Sequence, residues 1–139
     1  MVNVLTNLGE QIMLMGNAPV TPTDGGLARL AVAVRLFKST SVPNKDGTGF
    51  VEVDNGNGYV SGGQAVVLGN WTFSVVVTNG QIQLVDKSWT AVGGNISNVA
   101  GAYLVDAGGN ALAWWERTTP VTLLPGDTIT LDDLIVRQT

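Results

Sequence analysis

The 139-residue chain contains no cysteine and no histidine. That removes thiolate nucleophiles, disulfides, zinc sites of the usual Cys/His type and every Ser/His/Asp triad, and with them most common hydrolase chemistry. Charge is scarce as well: charged residues make up 13%, and 7 basic against 11 acidic residues leave a formal charge of −4. This balance argues against a nucleic-acid backbone as a direct partner. No apolar run is long enough to span a membrane, so no membrane partner is expected. The opening MVNVLTNLGEQIMLMG lacks a basic start and a long apolar stretch, and is not expected to act as a secretory signal. Asn70-Trp-Thr72 and Asn95-Ile-Ser97 fit the glycosylation acceptor pattern and are read as chance matches.

What the chain does have is 45% hydrophobic residues and 18 glycines, with few helix-building Glu and Lys. That profile fits a compact β protein, and the length suits a single domain spanning residues 1–139. Val4 or Leu5, Leu8, Ile12 and Met15 recur at spacings of three and four and predict a short N-terminal helix. The following stretch to Gly26 has two prolines, three glycines and no periodicity, and reads as an extended arm.

From there the pattern is strands and turns. LARLAVAVRLF, residues 27–37, alternates Leu30, Val32, Val34 and Leu36 on one face with Arg29, Ala31, Ala33, Arg35 and Phe37 on the other, predicting one long half-buried strand with its arginines outward. KSTSVPNKDGTG is a second open stretch, leading to FVEV, and Asp54-Asn-Gly-Asn-Gly58 turns the chain into YVSGGQAVVL. WTFSVVVT and QIQLVDKSW flank Asn79-Gly80, the strongest short hairpin signal. VAGAYLVDA and ALAWWERT flank Gly108-Gly-Asn110 and predict a second hairpin. With the C-terminal strand there are seven or eight strands, and the expected fold is mainly β, an antiparallel sandwich of jelly-roll type.

An acidic pair is the general acid/base machinery left to a chain without histidine. Yet Asp24, Asp46, Asp54, Asp106 and Asp127 each lie within one residue of glycine or asparagine, where a carboxylate supports a turn. Calcium does not suit Asp54-Asn-Gly-Asn-Gly58, because the alternate positions after the aspartate are glycines. Gly25-Gly26 and Gly62-Gly63 lack the setting and the lysine of a phosphate cradle and are read as bends or bulges. No catalytic residue, metal site or cofactor is expected. Trp71, Trp89, Trp114, Trp115 and Tyr103 suit a core, a subunit interface or stacking on sugar. Neighbours in a strand face opposite ways, so Trp114 and Trp115 cannot both enter one core.

Three stretches, LTNLGEQIMLMG, GNISNVAGAYLVDAGGNALAWW and TTPVTLLPGDTITLDDLIV, together resemble small virion structural proteins of tailed bacteriophages, often labelled tail-fibre-like. In size and character the chain is also similar to the cement, or decoration, proteins that coat phage capsids. The strand expected at residues 27–37 departs from the fibre-like members. The resemblance implies a non-enzymatic β-sandwich on the capsid exterior of the virion. It would be a homo-oligomer, dimer or trimer, binding the major capsid protein across subunit boundaries. A tail-fibre or baseplate module binding host glycan is the alternative. A small clip bridging shallow junctions adds contact area and avidity without a pocket. The candidate contact residues are Leu5, Leu8 and Ile12 of the helix, Pro19 and Pro22 of the arm, Pro43 of the loop, and Trp114 and Trp115.

The last segment, DTITLDDLIVRQT, changes phase. Ile129 and Leu131 occupy odd positions, Leu134 and Val136 even ones, and a one-residue bulge at Asp132-Asp133 would restore a common face.

Overall fold

The computed structural model describes residues 3–6, 27–76, 79–132 and 134–137. They form ten strands, β1 (Asn3–Leu5), β2 (Ala31–Lys38), β3 (Gln64–Ala65), β4 (Trp71–Val76), β5 (Asn79–Leu84), β6 (Lys87–Thr90), β7 (Ile96–Asp106), β8 (Ala111–Leu123), β9 (Thr128–Leu131) and β10 (Leu134–Arg137). A single helical turn, α1 (Leu27–Leu30), precedes β2, and a 3-10 turn spans Leu68–Asn70. All strand pairs are antiparallel. The mainly-β class is therefore as the sequence predicts.

One sheet has the order β1-β8-β7-β2-β3; a second has β10-β5-β4, and β6-β9 form a two-stranded ribbon. The main core lies between them. Val34 and Leu36 of β2, Ala102 and Leu104 of β7 and Leu112 and Trp115 of β8 pack with Leu84, Trp89, Ile129, Leu131, Leu134 and Val136. Long β7 and β8 carry the fold because their apolar residues alternate across two buried faces. Tyr103 lies opposite Trp114, and Ala102 opposite Trp115. Trp115 enters the main core while Trp114 joins a smaller cluster with Phe37, Tyr103, Val105 and Ala111 on the outer face. The chain from Lys38 to Val53 folds back over that face: Lys38 N donates to Val51 O at 2.8 Å and Val42 N to Gly49 O at 2.9 Å. Phe50 caps it, stacked on Tyr103 with ring centroids 4.5 Å apart and edge-on to Trp114 at 5.7 Å.

Several expectations need correction. Residues 27–37 are not one strand: Leu27–Leu30 are helical, and Leu30 is exposed. The register of β2 on β7 shifts between Ala31 and Ala33, so Ala31 rather than Val32 shares the core side with Val34 and Leu36, and Val32 is exposed. The opposite face is not solvent but the second cluster, with Phe37 buried in it. At the N-terminus, Asn3–Leu5 pair with β8 as strand β1, with Val4 opposite Trp114, so the predicted helix cannot begin there. The rest of that helix and the arm lie outside the described residues. Of YVSGGQAVVL only Gln64 and Ala65 form a strand, and FVEV contributes a single bridge between Phe37 and Glu52.

The Asn79-Gly80 hairpin exists, but its turn does not use those residues. Val76 lies opposite Asn79 and Val75 opposite Gly80, so both residues belong to β5. This register places Leu84 between Trp71 on β4 and Leu134 on β10, and that row, packed in and against the main core, outweighs the local turn preference. The tight Asn-Gly turn is Asn57-Gly58, where Gly56 and Tyr59 exchange both backbone hydrogen bonds and φ is +56° and +96°.

The phase slip is real, with a different cause. Instead of one strand with a one-residue bulge, β9 and β10 belong to different sheets. β9 pairs with β6 ending at Leu131 opposite Lys87, and β10 pairs with β5 beginning at Leu134 opposite Leu84. The ladder breaks at the same level on both strands, between Leu84 and Lys87 on one and between Leu131 and Leu134 on the other. The slip therefore appears on both strands: Leu84 and Trp89 are buried across it, as are Leu131 and Leu134.

Candidate interaction surface

Of the aspartates read as turn residues, Asp24 lies outside the described residues, and the other four are engaged by neighbouring groups. Asp106 Oδ1 accepts the N–H groups of Gly108 and Asn110, each at 2.9 Å, and closes the β7–β8 hairpin. Asp127 Oδ2 accepts Leu124 N at 3.0 Å and shapes the turn into β9. Asp46 accepts the hydroxyl and the N–H of Thr48, which hold its carboxyl below the usual range. Asp54 pairs with Lys38 at 2.7 Å. Among the described residues no group of three or more acidic side chains could hold a metal ion.

One polar cluster escapes notice in the sequence. Glu52 Oε1 accepts the Tyr59 hydroxyl at 2.8 Å and Gly62 N at 2.6 Å, while the Tyr59 oxygen accepts Leu36 N at 3.1 Å. Arg35 Nη1 lies 3.9 Å from Glu52 Oε2. Burial pushes the Tyr59 phenol far above its ordinary 10.0, only partly offset by the Leu36 hydrogen bond, and Glu52 adds to the rise. Burial also raises Tyr103, against the lowering effect of its hydrogen bond with Arg35. Phenols held protonated do not serve as bases near neutral pH, and the cluster works as a clasp tying residues 52–62 to β2. Its signal in the sequence was a charge inside each of two apolar runs, Arg35 in AVAVRLF and Glu52 in FVEV.

Among the described residues, the predicted contacts do not share one exposed surface. Trp115 is 0% and Trp114 6% exposed, so each serves its own chain's interior and neither offers a face to a partner or a sugar. Trp89 and Tyr103 are buried likewise, and Trp71 is half-buried against the main core. Leu5 contributes backbone pairing with Ala113. Pro43 is half-buried beside exposed Val42. Leu8, Ile12, Pro19 and Pro22 lie outside the described residues.

A surface missed by sequence reasoning sits at one end of the sandwich. Val92 N donates to Asn57 O at 2.9 Å, Asn57 Nδ2 to Asn95 O at 3.0 Å, Ala91 N to Asp127 O at 2.9 Å and Gly126 N to Ala91 O at 2.8 Å. These bonds lock the turns at 54–63, 91–95 and 124–127 together. Val60, Val92 and Leu124 ride on them at 68%, 65% and 56% exposure. Three exposed aliphatic side chains thus sit on turns held in place by hydrogen bonds, and such turns lose little entropy when they are covered. Gly58 is essential there: an added Cβ would land on Thr90 O, besides the strain of its positive φ.

The arrangement is mainly β and sandwich-like, built of antiparallel sheets. Compared with protein-family models, with characterised proteins and with solved structures, the chain matches none. Among the described residues no helix is long and apolar enough to cross a membrane.

Proposed function

We propose that the chain is a non-enzymatic structural protein of a tailed-phage virion, a capsid cement that binds the major capsid protein across subunit boundaries. The observation that carries this reading is that Val60, Val92 and Leu124 are exposed on turns joined by backbone hydrogen bonds, with Asp54 and Asp127 of those turns engaged by Lys38 and Leu124 N. The resemblance of three sequence stretches to phage virion proteins gives the reading its setting. Buried Trp114 and Trp115 weigh against the glycan-adhesion alternative, which needs exposed aromatic faces.

Fractionated virions test the reading. Many copies on empty heads are expected, and recovery only with isolated tails overturns it. On heads, Val92→Asp combined with Leu124→Asp should abolish binding while leaving the circular dichroism spectrum unchanged; undiminished binding would place the contact elsewhere.

A further inference from the structure

An edge strand with unpaired backbone groups is a template for another chain, and folded proteins guard such edges. Three edges here have visible guards. β1 is three residues long and lies against β10 of the second sheet. β3 is two residues long and is tied across to β6 by Gln64 Nε2 donating to Ser88 O and Lys87 Nζ to Ala65 O. β9 spans four residues between Asp127 and Asp132, so two copies approaching there would bring like charges together.

β4 differs. It runs six residues, WTFSVV, pairs only with β5 among the described residues, and carries neither proline nor charge. No charged residue occurs anywhere between Asp54 and Asp86. An uncharged edge offers nothing to a charged partner and does not repel its own copy.

We propose that β4 pairs with β4 of a second copy, antiparallel about a two-fold axis, joining the two three-stranded sheets into one of six strands. A two-fold axis perpendicular to the sheet keeps each face on its own side, so paired positions must have the same parity. The register centred on Phe73 meets that condition: Trp71 lies opposite Val75 of the second copy, and Thr72 opposite Ser74. Strand pairing alone buries less than a standard interface, so the dimer forms in a concentration-dependent way. The inference does not depend on the capsid reading.

Sedimentation of the full chain over a concentration series tests it. The mass is expected to rise from one chain to two, and the backbone amides of residues 71–76 to exchange more slowly with solvent as concentration rises. Thr72→Lys with Ser74→Lys places like charges across the pair and should hold the mass at one chain, with an unchanged melting temperature. A wild-type chain that stays single at every concentration overturns the proposal, as does a dimer that survives both substitutions. Amides of 71–76 equally protected at all concentrations would overturn it too, because the chain would then be covering its own edge. Exchange on the wild type decides the matter even if the double variant misfolds.

Discussion

Tyr59 and Tyr103 are the only tyrosines in the chain, and burial raises both phenols above the ordinary value of 10.0. The unfolded chain therefore releases these protons first as pH climbs past 10.0, so the stability linked to them is complete below that value and drains away above it. In an alkaline titration the folded protein should show no tyrosinate absorbance step at 10.0. Tyrosinate should instead appear together with loss of the folded circular dichroism signal. A step near the ordinary value with the fold intact would mean that the clasp around Glu52 is open. The paired tryptophans give a second test at this scale. Trp115→Ala removes a fully buried side chain from the main core and should cost about 3–5 kcal/mol in denaturant unfolding. Val92→Ala, at 65% exposure, should stay within about 0.5 kcal/mol.

At the scale of elements, the break between Leu84 and Lys87 and between Leu131 and Leu134 keeps Leu84 and Leu134 in the core with Trp89 and Leu131. Deleting Asp132 would slip β10 by one position relative to β9 and turn Leu134 and Val136 outward. Each buried aliphatic side chain is worth about 1.5–3 kcal/mol. Losing two removes a large share of the roughly 5–15 kcal/mol of a whole domain. The deletion variant should lack a cooperative thermal transition, whereas Asp132→Asn, at an exposed position, should melt like the wild type. A cooperative melt from the deletion variant would show that the ribbon re-registers at no cost.

Some of this was legible in the sequence. The β7–β8 hairpin was, because Asp106 and the Gly108-Gly109-Asn110 turn act locally and the flanking alternation is long. The slip at Asp132 was also visible as a break in parity. Its cause was not, because the partner strand shares the same break and only the pairing of β5 with β10 and of β6 with β9 reveals the change of sheet. Asn79-Gly80 misled for a related reason: the row Trp71, Leu84, Leu134 is a long-range constraint that no turn propensity reports. The outer face of β2 looked solvated because the loop that covers it, with Phe50 at its end, follows later in the chain. The apolar end was hidden too, since Val60, Val92 and Leu124 stand alone in three separate turns.

For the whole molecule, the two layers are joined along both sides, by β1 against β10 and by Gln64 and Lys87 reaching between β3 and β6. Closure of this kind favours a rigid unit. That surface is unusually poor in charge, with 13% charged residues and a formal charge of −4. The aspartates near the apolar end are already engaged, Asp54 by Lys38 and Asp127 by Leu124 N. Association through Val60, Val92 and Leu124 should then draw on buried apolar area, which salt does not screen, rather than on ion pairs, which it does. Binding to phage heads, followed by co-sedimentation, should change less than about twofold over a tenfold rise in sodium chloride, where exposed ion pairs would be screened. Sulfate should strengthen it, because excluded salts favour apolar burial. A tenfold loss of binding over the same range would instead assign the contact to the few lysines and arginines, and the apolar end would have to serve another purpose.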